Sequence, residues 1–129
     1  MVSKTEKITI NMSVVDLGKV DLLVAEGFYS NRTDFIRAAI RSQLGKHDVE
    51  LQKAATRRTL AIGLLIYSRK DLEEAIAKGE RLVFRIMGML VLASDVTPQL
   101  ALEAIDSIQV YGVFHAPQAV KVALRERIR

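Results

Sequence analysis

The seven residues Lys7–Ser13 constrain the fold of this chain more than any other stretch, because polar and apolar side chains alternate strictly along them. The polar positions are Lys7, Thr9 and Asn11, and the apolar positions are Ile8, Ile10 and Met12. A period of two predicts a β-strand with one solvated face and one buried face. No second strand is predicted nearby, so the pattern favours pairing with the same strand of a second copy.

Two amphipathic helices are predicted directly after this strand. Ser13 is a suitable N-cap for the first helix, and Gly27 is a natural stop for it. Asn31 is the N-cap of the second helix, which Gly45 closes or interrupts. One strand and two short helices bury too little surface to fold alone, so a dimer is the economical solution. Its core is expected to contain the apolar positions of all three elements, which are Ile8, Ile10, Met12, Leu17, Val20, Leu23, Phe35, Ile36 and Ile40.

Basic residues are concentrated between Ser30 and Arg58, where seven of them accompany three acidic residues. The formal net charge of the whole chain is +4, and both values are consistent with a nucleic-acid partner. The N-terminus lacks the apolar core of a signal peptide. The longest apolar run, Leu60–Tyr67, is far shorter than the ~20 residues of a membrane-spanning helix. We therefore expect a cytoplasmic protein with no membrane partner.

The alternating strand and the stretch Gly27–Arg41, which reads Gly-Phe-Tyr-Ser-Asn-Arg-Thr-Asp-Phe-Ile-Arg-Ala-Ala-Ile-Arg, resemble the ribbon-helix-helix family of CopG-, Arc- and MetJ-type regulators. The resemblance covers residues 5–46 and implies an intertwined homodimer whose two-stranded ribbon reads the major groove of double-stranded DNA. By position, the residues that would contact base edges are Lys7, Thr9 and Asn11. Those that would contact phosphates, at the start of the second helix, are Asn31, Arg32 and Thr33.

These residue types suit the roles that the resemblance implies. Lysine donates hydrogen bonds to guanine, asparagine pairs with adenine through two hydrogen bonds, and threonine packs on the methyl group of thymine. Free N–H groups and the helix dipole favour a phosphate at a helix N-terminus. Some members of the family sense nickel through His and Cys ligands, but this chain has no cysteine and only His47 and His115, far apart in sequence. No metal and no cofactor are therefore expected.

The C-terminal two thirds follow a charged segment, residues 47–58, which is predicted to be a linker, with a further helix left open. Three apolar runs predict strands, at residues 60–67, 82–92 and 108–114. The first run is continuous, as in a strand that is buried on both faces. The predicted helices run from Ser68 to Ala77, from Thr97-Pro98 to about Asp106, and onward from Pro117 with Val120, Leu124 and Ile128 on the last one.

The runs around Gly63, Gly88 and Gly112 resemble one another, and the last two are 24 residues apart. Repeated strand–helix units predict a small α/β domain of parallel strands that is leucine-rich-repeat-like in plan, with a small open α/β sheet as the alternative. Glycines inside apolar runs indicate close packing or bulges. The predicted fold class is α+β, with domains at residues 1–46 and 59–129 joined by the linker.

The chain contains no catalytic constellation, so we do not expect an enzyme. The predicted function is a sequence-specific DNA-binding transcriptional regulator, and specifically a repressor. Two alternatives stay open: the antitoxin of a toxin–antitoxin pair, and a DNA-anchored scaffold that polymerises through its C-terminal domain. Residues 59–129 are expected to serve in oligomerisation beyond the dimer or in sensing.

Overall fold

A computed structural model describes residues 3–129 of the chain. The chain divides into two compact units, Lys7–Ala54 and Ala55–Arg129, and the second unit includes the described residues before Lys7. The division falls inside the segment that the sequence predicts to be a linker. That segment is helical for most of its length.

The N-terminal unit consists of an irregular segment followed by helices. These are α1 (Val14–Ala25), α2 (Arg32–Gly45) and α3 (Asp48–Arg57), the last of which runs past the end of the unit. The first two helices lie where the sequence predicts them. The helix that the sequence left open in the linker is α3.

Local signals define both ends of α1. The Ser13 hydroxyl accepts a hydrogen bond from the N–H of Asp16 at 3.4 Å. At the other end, the N–H of Gly27 donates to the carbonyl of Val24 and the N–H of Phe28 donates to that of Leu23, each at 3.0 Å. This is a Schellman motif, and it requires a left-handed residue after the helix. Gly27 supplies one with φ of +86°.

The apolar residues of the N-terminal unit are poorly covered in a single chain. Val20 is the only buried side chain among residues 7–54, all of which are described. Of the residues predicted to form a dimer core, the half-buried ones are Met12, Leu17, Leu23, Phe35 and Ile36, and the exposed ones are Ile8, Ile10 and Ile40. Residues 7–13 carry no regular secondary structure in the single chain. The strand therefore stays a prediction, because its proposed partner is a second chain.

The C-terminal unit alternates strands and helices, and with the helical N-terminal unit it gives the mixed helix and strand content of the predicted α+β class. Its elements are β1 (Ala61–Tyr67), α4 (Arg69–Ala77), β2 (Leu82–Leu92), α5 (Pro98–Ala104), β3 (Ile105–His115) and α6 (Gln118–Ala123). The three strands form one parallel sheet in the order β1-β2-β3. The leucine-rich-repeat-like plan stays a prediction.

The helices pack against one face of this sheet. The buried side chains of that core are Leu72, Phe84, Ile86, Leu90, Leu92, Val96, Ala101, Ala104, Ile105, Ile108, Val120 and Leu124. The strand residues among them alternate along β2, as the period of a strand requires. The other face of the sheet carries apolar residues that are only partly covered, including Ile62, Met87 and Tyr111.

Gly63, Gly88 and Gly112 lie opposite one another in the three strands, with φ of +136°, +140° and +130°. A Cβ on Gly88 would overlap the carbonyl of Gly63, and a Cβ on Gly112 would overlap the carbonyl of Gly88. Close packing is confirmed at Gly88 and Gly112, where no side chain fits the approach of the neighbouring carbonyl, whereas a Cβ at Gly63 would have no atom within 4 Å.

Three sequence predictions for this unit are wrong in detail. Helix α5 ends at Ala104 instead of near Asp106, because Ile105 already pairs with Leu82 of β2. Helix α6 ends at Ala123, and a 3₁₀ turn follows, so Ile128 is not helical but forms a bridge with Ile108. Strand β1 is not buried on both faces, since none of its residues is buried in the single chain.

Neither a membrane-spanning helix nor a cluster of metal ligands occurs in the described residues, 3–129. None of the helices there combines the length and the apolar character that a membrane crossing requires. The same residues contain no group of three or more His, Asp or Glu side chains placed to hold a metal ion.

Candidate nucleic-acid interface

The segment before α1 presents the three residues that the sequence predicts to contact bases. Lys7, Thr9 and Asn11 are all exposed. Within residues 3–129, none of their side chains takes part in a hydrogen bond or an ion pair. Their donors and acceptors are therefore available to an external partner. A lysine, a threonine and an asparagine at alternate positions together offer both kinds of hydrogen-bonding group.

The start of α2 is held by two side chains. Asn31 is its N-cap, and its Oδ1 accepts a hydrogen bond from the N–H of Asp34 at 2.8 Å. The carboxylate of Asp34 accepts in turn from the N–H of Ser30 at 3.1 Å. In the described part of the chain, no hydrogen bond uses the N–H groups of Arg32 and Thr33. These two donors lie at the positive end of a 14-residue helix, where an anion is favoured.

The side chain of Arg32 is engaged within the unit. Its Nε donates to Oδ1 of Asp21 at 2.7 Å, and a terminal nitrogen donates to Oδ2 at 2.8 Å, which ties α2 to α1. These hydrogen bonds lower the pKa of Asp21 and raise the pKa of Arg32. The pair is bidentate, the strongest geometry for this kind of contact. The groups of Arg32 that remain open to an external acceptor are therefore its backbone N–H and the guanidinium N–H groups that do not bind Asp21.

A shallow groove of about 390 Å³ runs along α2 from its first turn. Its lining is mostly polar and comprises Ser30, Asn31, Thr33, Asp34, Arg37, Ala38 and Arg41. Asn31 and Thr33, two of the predicted phosphate contacts, are therefore brought together, whereas Arg32 does not line this groove. Lys7, Thr9 and Asn11 do not line it either.

Arg37 and Arg41 line this groove but are not among the residues that the sequence predicted to contact phosphates. Both are exposed, and neither forms an ion pair within residues 3–129. With Thr33 they repeat every four residues, which places all three on one face of α2. That spacing is visible in the sequence and could have identified them. The groove thus brings the free N–H of Thr33 together with two guanidinium groups that form no ion pair within residues 3–129, beside the carboxylate of Asp34. Guanidinium groups and backbone donors at a helix start suit phosphate oxygens.

Comparison with known proteins bears directly on these features. No curated protein and no solved structure matches the chain. A family model described as the ribbon-helix-helix transcriptional regulator family matches residues 3–121. The match extends from the N-terminal segment into α6, so it includes both units. The resemblance over residues 5–46 is confirmed, the match also covers most of the C-terminal unit, and the chain belongs to the ribbon-helix-helix transcriptional regulator family.

Proposed function

We propose that this chain is a sequence-specific transcriptional repressor that binds DNA as a dimer, with residues 7–12 of two copies paired as an antiparallel ribbon. The observation that carries the proposal is the unfinished packing of the N-terminal unit. Ile8 and Ile10 are 71% and 61% exposed in the single chain, although they alternate with polar residues as a half-buried strand would. Pairing two such segments above the helices covers the apolar side and leaves the polar side outward.

The outward side of the ribbon supplies the sequence specificity. Lys7, Thr9 and Asn11 contribute six side chains per dimer, and a two-stranded ribbon has the dimensions of the major groove. A two-fold ribbon calls for an operator with two related half-sites, because the symmetry of the protein is repeated in its site. Binding at a promoter then excludes the transcription machinery, which is the basis of repression.

The start of α2 sets the position of the dimer on the duplex. The N–H groups of Arg32 and Thr33, with the side chains of Asn31 and Thr33, contact one phosphate through the helix N-terminus. Arg37 and Arg41 extend the contact along the backbone. These contacts carry no sequence information, so they determine register and the salt dependence of affinity.

Selection of binding sites from a random pool of duplexes tests the proposal without knowledge of the operator. The full chain should enrich a two-fold related motif. Replacement of Asn11 by alanine should relax one position of that motif and cost about 1–3 kcal/mol of discrimination there. Gln99→Ala is a matched control, because it removes an exposed amide from the other unit.

Two alanine variants can refute the proposal that the ribbon reads bases. If Thr9→Ala and Asn11→Ala both leave the enriched motif and the affinity unchanged, the ribbon does not read bases. Repression itself is tested with a reporter under the DNA upstream of the protein's own gene, where the wild-type chain should lower expression and the Asn11→Ala chain should not.

The antitoxin and scaffold alternatives make different predictions. Toxin-binding segments of such antitoxins are often disordered before binding, whereas residues 61–123 form a sheet with a covered helical face, which counts against that function. A small protein that co-purifies in equal amount would favour it. A scaffold requires open-ended growth, so light scattering that finds one discrete mass at all concentrations favours the regulator.

A further inference from the structure

Strand β1 is far less covered than its sequence requires. Its seven residues are all apolar or glycine, and the apolar run extends unbroken from Leu60 to Tyr67. None of them is buried in the single chain, and Ile62 and Ile66 are 65% and 53% exposed. Strand β2 has equally apolar ends, but six of its eleven residues are buried. The low burial of β1 therefore results from its position at the edge of the sheet.

The two edges of the sheet differ in how they end. At the β3 edge, Ile128 forms a parallel bridge with Ile108, and the N–H of Arg129 donates to the carbonyl of Ile108 at 2.8 Å. The β1 edge pairs with no strand of the described chain, and a Cβ at Gly63 would have no atom within 4 Å. Exposed edges are usually protected by charged residues or proline, and β1 has neither.

The helix layer is also incomplete beside β1. A cleft of about 400 Å³ opens there, and its lining on the helix side of the sheet includes Ala61, Leu65, Tyr67, Phe84 and Ile86. Leu65 and Tyr67 are only half-buried, although the residues that pair with them on β2, Leu90 and Leu92, are fully covered. β1 thus pairs with β2 on one side only, and its side chains Leu65 and Tyr67 pack against the core but stay partly open at the cleft.

We propose that β1 pairs antiparallel with β1 of a second copy of this chain, so that the two C-terminal units share one six-stranded sheet. A second copy fits because an uncharged strand that pairs with itself about a two-fold axis covers the same residues on both sides. It is also at hand, since members of this family typically form dimers, and tethering raises the local concentration of a second contact. The cleft of each copy is then closed by the same apolar side chains of the other.

The register follows from the length of the strand. All seven residues pair when Leu64 of one copy lies opposite Leu64 of the other, which places Ile62 opposite Ile66 and Ala61 opposite Tyr67. Each of these pairs lies on one face of the shared sheet, as antiparallel pairing requires. The exposure of β1 does not depend on DNA binding, so the pairing of β1 can fail while the proposed repressor function stands, and the reverse.

Engineered cysteines test the register directly, because the chain has no cysteine of its own. Leu64→Cys should form a covalent dimer under mild oxidation on the order of tenfold faster than Val122→Cys, since opposite residues of an antiparallel pair meet the geometry of a disulfide. Val122 is a matched control because it is an apolar residue of α6 with 51% exposure. The double variant Ile62→Cys/Ile66→Cys should cross-link, whereas each single variant should not.

A charge at the edge provides the second arm of the experiment. Ile66→Lys, placed in the Leu64→Cys chain, should reduce cross-linking to the rate of the control, because a lysine opposes edge pairing. Circular dichroism should stay unchanged, since Ile66 is already half exposed. The proposal is overturned if Leu64→Cys cross-links no faster than Val122→Cys. It is equally overturned if Tyr111→Cys, on the open face of β3, cross-links instead, because that result means stacked sheets.

Discussion

The row of glycines across the sheet allows a quantitative prediction for Gly112→Ala. The alanine Cβ would overlap the carbonyl oxygen of Gly88 and lie 3.0 Å from its carbon and 3.4 Å from its Cα, all atoms of a backbone inside the sheet. The φ of +130° adds strain of about 1–3 kcal/mol for any residue with a Cβ. Moving a packed strand adds about 1–3 kcal/mol more. The expected loss is therefore about 2–6 kcal/mol, a large part of the stability of a small protein.

Gly79→Ala separates the two contributions to that loss. Gly79 ends α4 with φ of +72°, and a Cβ there would have no atom within 4 Å. Only the left-handed backbone is penalised in this variant, so the expected loss is about 1–2 kcal/mol. Both substitutions add one methyl group to the same unit. Their difference therefore measures the cost of the close approach between β2 and β3.

Urea denaturation at one fixed protein concentration provides the measurement, because an assembly of copies makes stability depend on concentration. Gly112→Ala should lower the free energy of unfolding more than Gly79→Ala does, by about 2–6 kcal/mol against about 1–2 kcal/mol. Equal shifts would mean that the strands move apart freely at this row. The interpretation of the glycines as a packing requirement would then be wrong.

Three further predictions concern single contacts. Arg32 lowers the pKa of Asp21, so the folded state gains stability from the Asp21 carboxylate at pH 7. That gain should disappear as the pH falls from the unfolded pKa of about 3.9 through the lower pKa of the folded state. Urea midpoints of the wild type and Asp21→Asn should therefore differ at pH 7 and converge at low pH. Arg37→Gln should weaken binding to all DNA sequences and flatten the slope of log affinity against log salt by about 1, in gel shifts. Ser68→Ala removes the capping box of α4 and should cost about 1 kcal/mol by thermal melting, whereas Ser94→Ala should cost almost nothing.

Elements bounded by local signals were predictable from the sequence. Ser13, Asn31 and Ser68 all accept the hydrogen bond expected of an N-cap, since that bond depends on residues three positions away. Gly27 and Gly79 both adopt the left-handed conformation that ends a helix. The bounds of β2 agree with the apolar run that predicted it, residues 82–92.

Features that depend on contacts across the fold were not predictable. The sequence indicates a cation at Arg32 but not that Asp21, eleven residues earlier, accepts both of its hydrogen bonds. Helix periodicity alone extends α5 beyond Ala104, and only the pairing of Ile105 with β2 ends it there. Ile128 fits a helical stripe equally well, yet the bridge to Ile108 determines its conformation.

The apolar run of β1 shows that sequence composition does not identify what covers a strand. Its composition correctly indicates a strand, but the burial that it predicted on both faces is not found in the single chain. Composition is the same whether a strand is covered by its own chain or by another copy. The segment around Ile8 and Ile10 raises the same question at the other end of the chain, and there too the apolar residues are exposed in isolation. A single chain therefore leaves two apolar segments largely uncovered, one in each unit: the segment around Ile8 and Ile10, and β1. Because each is suited to pairing with itself, the two proposed contacts either share one two-fold axis and close a dimer, or have separate axes and join dimers into a larger assembly. The mass of the assembly formed by the wild-type chain and by Ile66→Lys distinguishes these cases. With one shared axis both chains should be dimers, whereas with separate axes the wild type should be larger and Ile66→Lys should be a dimer.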